Sequence, residues 1–214
     1  MTGLIETVRV RRGVMPLLPL HAARLARSTV AMGIPDPGPL GARIGALPRM
    51  EERVIRIEAG AQGVHVTTRD VPPADPFTVA TVVAPYRPYP HKITERAQFT
   101  SARAAARAAG ADDALLVTSG GEVAEGTTWS IFWWMGEGIA TPPLALGVLP
   151  GVARERLSTL LSLIERRATL PALSGLSLFA ANAVRGVVPI ARLDGVPVPS
   201  DPRTAELALA FWPT

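Results

Sequence analysis

Prolines crowd one short stretch near the middle of the chain, and a regular helix or central strand cannot run through it. Pro85, Pro88 and Pro90 stand close together, and each ring fixes φ and removes a backbone N–H donor. We therefore predict a stiff linker over residues 85–91. It separates a small N-terminal lobe, residues 1–84, from a larger C-terminal lobe, residues 92–214.

Lys92 follows this linker directly, and it is the single lysine among 214 residues that carry 22 lysines and arginines together. Arginine stays protonated, whereas lysine can lose its proton and attack a carbonyl carbon. A GC-rich gene would explain the arginine excess, but it does not explain why one lysine stands beside a stiff segment. Lys92 is therefore the first candidate for a catalytic residue.

The bulk composition excludes several classes of protein. Hydrophobic residues make up 48% and charged residues 19%, and there is no cysteine, so we expect a globular fold without disulfides or thiolate chemistry. His21, His65 and His91 are too far apart for metal-ligand spacing, so we expect no metal. The net charge is +4, but scattered arginines and few aromatics argue against nucleic-acid binding.

No apolar run approaches the roughly 20 residues of a membrane span, and Met1–Leu4 shows no signal peptide. We therefore expect a cytoplasmic protein that does not enter the membrane.

Alternation and turn residues predict an α+β fold. In the N-terminal lobe the predicted strands cover 4–10, 53–59, 64–68 and 77–84, mostly antiparallel, with helices over 20–33 and 40–47. In the C-terminal lobe they cover 114–118, 128–135, 139–141, 176–181 and 187–191, with helices over 94–109, 149–168 and 204–211.

Three polar positions permit two interpretations each. His21 and Arg24 share a helix face, which is either a solvated basic face or a binding pair. Glu125 is either an exposed turn carboxylate or a functional group. If Thr94 is the N-cap of the next helix and Gly110 its C-cap, Lys92 lies at the positive end of that helix, which would lower the pKa of its amine.

Seven segments occur in the order found in one enzyme family. They are Glu6-Thr7-Val8-Arg9-Val10, His21-Ala22-Ala23-Arg24-Leu25, His91-Lys92-Ile93-Thr94-Glu95-Arg96, Ala111-Asp112-Asp113-Ala114-Leu115-Leu116, Glu125-Gly126-Thr127-Thr128-Trp129-Ser130-Ile131-Phe132, Leu149-Pro150-Gly151-Val152-Ala153-Arg154 and Asn182-Ala183-Val184-Arg185-Gly186-Val187-Val188-Pro189. Together they resemble the fold-type IV pyridoxal-phosphate enzymes, or class IV aminotransferases. That family includes branched-chain aminotransferase, D-amino-acid aminotransferase and 4-amino-4-deoxychorismate lyase.

The resemblance implies a two-lobe α+β fold, with a small N-terminal α/β lobe and a larger lobe built on a β-barrel-like core with flanking helices. It also implies a pyridoxal 5'-phosphate cofactor, a small-molecule substrate with an amino group, and a homodimer.

The same resemblance implies a role for individual residues. Lys92 would form a Schiff base with the cofactor aldehyde, and Glu125 would pair with the pyridine nitrogen. Arg24 would bind the phosphate. The remaining cofactor-binding positions implied are Thr128, Gly151, Val152, Ala153 and Ala183. Arg9 and Arg185 are either contacts to the substrate carboxylate or structural ion pairs.

The chain departs from the family pattern at several points. The segment that precedes the first strand in familiar members is missing, so we expect an N-terminally shortened fold. Ala153 and Ala183 stand where the pattern has hydroxyls, which weakens the expected phosphate contacts. Ser130 replaces an asparagine, and Trp129 is an unusual neighbour.

Three functions are compatible with these motifs. The forms of the lysine segment and of the last motif favour a lyase that resembles 4-amino-4-deoxychorismate lyase, which eliminates pyruvate to leave 4-aminobenzoate. An aminotransferase acting on small amino acids and 2-keto acids is the alternative. A non-catalytic homologue that retains the fold is the third.

Overall fold

Two β-sheets carry the fold in the computed structural model, which describes residues 2–45, 51–83 and 86–213. The smaller sheet has the strand order β1-β2-β3, from β1 (Leu4–Arg11), β2 (Glu52–Gly60) and β3 (Gly63–Arg69), all antiparallel. Residues 46–50, 84 and 85 lie outside the described residues. They include the end of the predicted helix 40–47, the end of the predicted strand 77–84 and the first residue of the predicted linker.

Helix α1 (Leu18–Met32) packs on this sheet, and α2 (Leu40–Gly45) follows it. A proline in its first turn starts α1, and Gly33 ends it in the left-handed conformation with φ 61°. Leu25 of α1 is buried against Leu4 and Val8 of β1. This packing fixes α1 across the sheet, with His21 and Arg24 on its buried side.

The larger sheet has the order β6-β5-β4-β11-β10-β7-β8-β9, with β12 paired to β11. Its strands are β4 (Phe77–Val83), β5 (Asp113–Val117), β6 (Val123–Gly126), β7 (Ser130–Met135), β8 (Gly138–Thr141), β9 (Leu163–Glu165), β10 (Leu178–Asn182), β11 (Gly186–Leu193) and β12 (Val196–Pro197). Helices α3 (Ala97–Ala108), α4 (Val152–Ser158) and α5 (Pro202–Ala210) accompany it. Strands β5, β6 and β8 are buried along their whole length.

The prediction that the strand over 77–84 belongs to the antiparallel N-terminal set was wrong. Strand β4 pairs in parallel with β5 and with β11. Alternating hydrophobic residues identify a strand but not its partners, which lie far away along the chain. The sheets therefore change between β3 and β4, before residue 84. The division of the chain into domains stays a prediction.

The long helix predicted over 149–168 was also wrong. Helix α4 ends at Ser158, and Leu163–Glu165 forms β9, which pairs in parallel with β8. The leucine spacing fits a helix, but the open edge of β8 accepts a strand, and β-branched Ile164 suits that conformation.

The predicted two-lobe α+β class is confirmed. Among the described residues, no helix has the length and apolar character that a membrane crossing requires.

Candidate active site

A cavity of about 630 Å³ lies between the two sheets, with walls from both. Its lining is strongly basic, because seven arginines and Lys92 line it together with three carboxylates. The arginines are Arg24, Arg56, Arg69, Arg96, Arg103, Arg107 and Arg185, and the carboxylates are Asp112, Asp113 and Glu125. Such a lining suits a ligand with more than one negative group.

Lys92 reaches this cavity from an extended segment that is fastened to β1. The Ile5 N–H donates to the Lys92 carbonyl at 2.7 Å, and the Thr94 N–H donates to the Gly3 carbonyl at 2.8 Å. The Thr94 hydroxyl accepts from the Gly3 N–H at 2.9 Å. These bonds hold the main chain on both sides of Lys92, so the base of its side chain is fixed.

The Lys92 amine makes no hydrogen bond within the described part of the chain. The pKa of Lys92 is lowered to about 7, first by burial and then by the positive charges of Arg96 and Arg24, while the carboxylates Glu6 and Glu125 oppose the shift. Near neutral pH a large fraction of this amine is therefore unprotonated, which is the form that attacks carbonyl carbons.

The helix-end explanation for this shift was wrong. Helix α3 begins at Ala97, and its N-cap is Arg96, not Thr94. The Thr94 hydroxyl accepts from the Gly3 N–H, directly before β1, instead, and the C-cap is Ala109, one residue before Gly110. The sequence pattern identified the helix but not the tertiary hydrogen bond that takes Thr94 out of it.

Glu125 lies in β6 and is 5% exposed, so it is not a surface turn residue. The Tyr86 hydroxyl donates to its Oε1 at 2.6 Å, while the Leu149 N–H approaches both carboxylate oxygens at 3.4 Å. Burial raises the pKa of Glu125 to about 7, against the hydrogen bonds from Tyr86 and Leu149 and the charges of Lys92 and Arg96. Oε2 is left as the better acceptor for an N–H group in the cavity.

A buried charge cluster fixes Arg24. Its Nε donates to Glu6 Oε1 at 2.9 Å and its Nη2 donates to Oε2 at 2.5 Å. His21 Nδ1 lies 2.6 Å from the same Oε2. The solvated basic face considered for His21 and Arg24 is therefore wrong, because both side chains are buried. Nη1 of Arg24 has no hydrogen bond among the described residues.

His21 completes this cluster as a neutral ring. Burial lowers the pKa of His21, and the hydrogen bond to Glu6 offsets this only in part. Its Nε2 is buried without a hydrogen-bond partner in the part of the chain that the structure describes. The sequence offered no reason to pair Glu6 with this helix, although all three side chains stand in the motifs quoted above.

Gly151, Val152 and Ala153 line another part of the cavity. Gly151 is the N-cap of α4, and the first N–H groups of a helix have no acceptor within it. These groups are available to an anion. Ala183 lines the same cavity.

Thr128 also lines the cavity, in a turn held by Asp113. The Thr128 hydroxyl accepts from Arg103 Nη2 at 3.1 Å, and Arg103 pairs with Asp113, whose Oδ2 lies 3.1 Å from Nη2. The Trp129 indole N–H donates to Asp113 Oδ2, also at 3.1 Å. The unusual tryptophan thus anchors the turn that follows Glu125.

Arg9 and Arg185 differ in their placement. Arg9 pairs with Glu52 and is not among the cavity-lining residues. Arg185 lines the cavity and donates from Nη2 to the Asp75 carbonyl at 3.0 Å. Its Nε is buried without a hydrogen-bond partner among the described residues.

Sequence reasoning missed two residues of this site. Tyr86 holds Glu125, and Arg96 lines the cavity beside Lys92. Arg96 stood in the quoted lysine motif and could have been singled out there. Tyr86 carried no comparable signal, because only the fold brings it to β6.

A protein-family comparison matches residues 3–193 to the model described as amino-transferase class IV. The chain belongs to the class IV aminotransferase family. Its enzymes depend on pyridoxal phosphate and catalyse transaminations or lyase reactions on small molecules. No curated protein matches the chain in a sequence comparison.

Solved structures of class IV aminotransferases share this fold. A branched-chain aminotransferase from the archaeon Thermoproteus uzoniensis, with norvaline, has a TM-score of 0.87 at 23% identity, with 98% of this chain and 84% of that chain covered. A hypothetical aminotransferase from Mycobacterium tuberculosis, in its PLP-bound form, has a TM-score of 0.85 at 20% identity, covering 98% and 88%.

A provisionally assigned 4-amino-4-deoxychorismate lyase from Legionella pneumophila is also similar. It has a TM-score of 0.81 at 20% identity, with 97% of this chain and 89% of that chain covered. At these identities the three structures establish the shared fold alone.

The residues of this class IV chain fit the cofactor of its family. One cavity brings together an amine with a lowered pKa, a buried carboxyl, a guanidinium with a free Nη1 and the open N–H groups that start α4. The amine suits the cofactor aldehyde and the carboxyl suits the ring nitrogen, while the guanidinium and the N–H groups suit the phosphate. The described residues contain no cluster of His, Asp and Glu that could hold a metal ion.

Proposed function

We propose that this protein is a pyridoxal-phosphate-dependent lyase of the 4-amino-4-deoxychorismate type, which eliminates pyruvate and leaves 4-aminobenzoate. One observation carries the proposal: an amine with a pKa near 7 and a buried carboxyl share a strongly basic cavity. The amine suits proton transfer near neutral pH, and the basic lining suits a substrate with two carboxylates.

Each residue has a separate task in this proposal. Pyridoxal phosphate, when bound, supplies an aldehyde and a ring that accepts electrons from the substrate carbon. Lys92 Nζ would hold the aldehyde carbon of the bound cofactor, and as a free amine it would take up or return the proton at the substrate α-carbon. Glu125 Oε2 would hold a proton at the ring nitrogen: burial raises the pKa of this carboxyl to about 7, and the positive charge of a protonated ring beside it would favour the ionised form.

The phosphate is held by two kinds of donor in this proposal. Arg24 offers Nη1, with the rest of its guanidinium fixed by Glu6. The backbone N–H groups of Gly151, Val152 and Ala153 offer donors at the start of α4. Thr128 and Ala183 line the cavity nearby, and Arg185 is the cavity-lining candidate for a substrate carboxylate. Arg9 is a weaker candidate, because it pairs with Glu52.

The alternative is an aminotransferase acting on small amino acids and 2-keto acids. The match of residues 3–193 to the amino-transferase class IV model supports it. Both reactions use the same lysine and the same ring partner, so only the basic lining, which suits a substrate with two carboxylates, favours the lyase. A non-catalytic homologue is disfavoured. A buried carboxyl and an amine without a hydrogen bond lower the stability of the fold, and a protein without catalytic activity gains nothing from them.

Substitution of Lys92 tests the shared part of the proposal. We expect the wild-type protein to bind added pyridoxal phosphate covalently, so that borohydride reduction fixes one cofactor per chain on the Lys92 peptide. Lys92→Ala should trap none at that peptide. Arg53→Ala, a surface control whose guanidinium pairs with Asp70, should trap as much as wild type. Equal trapping by Lys92→Ala would remove Lys92 from the reaction.

Product analysis then separates the two reactions. The lyase predicts pyruvate and 4-aminobenzoate from 4-amino-4-deoxychorismate without any keto acid. An aminotransferase predicts amino transfer only when a keto acid is added. Transfer without pyruvate release would favour the alternative.

The homodimer and the cytoplasmic location are parts of the same proposal. The homodimer is what the family resemblance implies, and the exposed Val30 and Leu209 (85% and 84%) are single surface residues that do not bear on it. Sedimentation of the purified protein measures the assembly.

A further inference from the structure

Arg96 is a cation of the cavity to which the proposed function gives no task. It lines the cavity together with Lys92, from which it is four residues away along the chain. Arg24 pairs with Glu6 and Arg103 pairs with Asp113. Arg96 makes no ion pair with a carboxylate in the described part of the chain.

The guanidinium of Arg96 is nevertheless held firmly. Its Nη1 donates to the Tyr89 hydroxyl at 3.0 Å, and its Nη2 donates to the Thr127 carbonyl. Its Cζ lies 4.6 Å from the Phe99 ring centroid and 5.5 Å from that of Tyr89. The two rings pack edge to face, with centroids 4.7 Å apart.

These anchors place the charge between two functional segments. Tyr89 precedes Lys92 by three residues, and its hydroxyl also donates to the Ile93 carbonyl at 2.6 Å. Thr127 follows Glu125 by two residues. The guanidinium therefore connects the segment that carries the amine with the turn that follows the carboxyl.

We propose that Arg96 is a positioning residue whose fixed, unpaired guanidinium keeps the Lys92 amine in its neutral, nucleophilic form. The inference rests on the proposed function for the use of that amine, but the protonation of the amine can be measured without cofactor.

The other groups around Lys92 leave Arg96 as the main unbalanced cation. The charged groups that act on Lys92 besides Arg96 are Glu6 from β1, Arg24 from α1 and Glu125 from β6, and His21 from α1 is also close enough to feel the charge of Lys92. Glu6 and Arg24 balance each other, and His21 is neutral. Among the charges that lower the pKa of Lys92, Arg96 comes first, after burial. Glu125 acts in the opposite direction.

The single lysine makes a direct titration possible. Lys92 and the N-terminal amine are the amines of the chain, so acetic anhydride labelling at graded pH, read by mass spectrometry, reports the protonation of each. The experiment uses the cofactor-free full chain, with the N-terminal amine as internal standard. In wild type we expect half-maximal Lys92 labelling near pH 7.

Removal of the Arg96 charge should move this midpoint upward. We expect Arg96→Gln to raise it by about 1 pH unit, the size of a nearby like-charge effect. Arg96→Met keeps an unbranched stem between the two rings and should give the same shift if the glutamine variant folds poorly. Arg96→Lys keeps the charge and should leave the Lys92 midpoint close to wild type. The new lysine side chain at position 96 is also labelled, and the mass of peptide fragments distinguishes it from Lys92.

Arg107→Gln is the matched control, because Arg107 is an exposed arginine of α3 that also lines the cavity. It should leave the Lys92 midpoint unchanged. An unshifted midpoint in folded Arg96→Gln or Arg96→Met would overturn the proposal, and so would an equal shift in Arg107→Gln. Failure to trap pyridoxal phosphate would overturn the proposed function instead, since the titration does not use it.

Discussion

Glu6 is the residue on which the small-lobe side of the site depends. It is 1% exposed and accepts hydrogen bonds from Arg24, with His21 on the same oxygen. Burial alone would raise the pKa of Glu6, but the charge and hydrogen bonds of Arg24 and the hydrogen bond of His21 outweigh it and lower the pKa to about 2. The cluster is stable only while this carboxylate is ionised.

Glu6→Gln should therefore destabilise the fold by about 3 kcal/mol, because it leaves the buried charge of Arg24 without a counterion. Urea unfolding at pH 7 measures the change. Glu52→Gln is the control, since Glu52 is the half-exposed partner of Arg9, and it should change the stability by less than about 1 kcal/mol. Equal effects of the two substitutions would contradict the importance of the buried cluster.

The same residue predicts a difference in pH dependence. A carboxyl whose pKa is lowered on folding stabilises the protein above the unfolded pKa, and this contribution disappears as the pH falls through the folded pKa. For Glu6 the window runs from 4.5 down to about 2, and about 3 kcal/mol disappears within it. The Glu6→Gln variant should lack this part of the acid dependence.

At the scale of elements, the turn between β6 and β7 sets the position of Glu125. A Cβ on Gly126 would lie 2.0 Å from Cε2 of Trp129, so only glycine leaves space for the indole there. The indole N–H then reaches Asp113. Glycine and tryptophan thus form one structural unit directly after the buried carboxyl.

Gly126→Ala should displace the indole and destabilise the protein by about 1–3 kcal/mol, the range for overpacking a filled core. It should also weaken pyridoxal phosphate binding, since Glu125 adjoins the turn. Urea unfolding and cofactor titration measure the two effects. Gly120→Ala is the control, because an added Cβ there meets its nearest atom at 3.7 Å. A Gly126→Ala variant as stable as that control would show that the indole has room to move.

Whole-molecule stability should respond to the cofactor, because the cavity walls come from both sheets. A ligand that binds the folded chain stabilises it, by about 2.7 kcal/mol at 100 times its Kd. Pyridoxal phosphate should therefore raise the thermal midpoint. Pyridoxal, which lacks the phosphate, should raise it less at equal concentration. Equal shifts would mean that Arg24 and the start of α4 do not hold the phosphate.

The sequence anticipated the local structure where the signal was local. Strand β1, helix α1 with Gly33 at its end and the β2–β3 hairpin follow from alternation and turn residues. The sequence-based prediction failed where distant partners compete. The edge of β8 makes residues 163–165 a strand, and Gly3, directly before β1, occupies the Thr94 hydroxyl that was predicted to cap α3.

By itself, the sequence determined the family, the cofactor and the α+β class, because seven motifs in the family's order can be recognised without knowledge of the three-dimensional structure. Only the tertiary structure decided which groups meet. It buried Glu6 under Arg24 and His21, brought Tyr86 to Glu125, and placed Arg96 between the lysine and carboxyl segments. The physical reason is that pKa values and ion pairs depend on burial and on distances through space, which one-dimensional spacing does not contain.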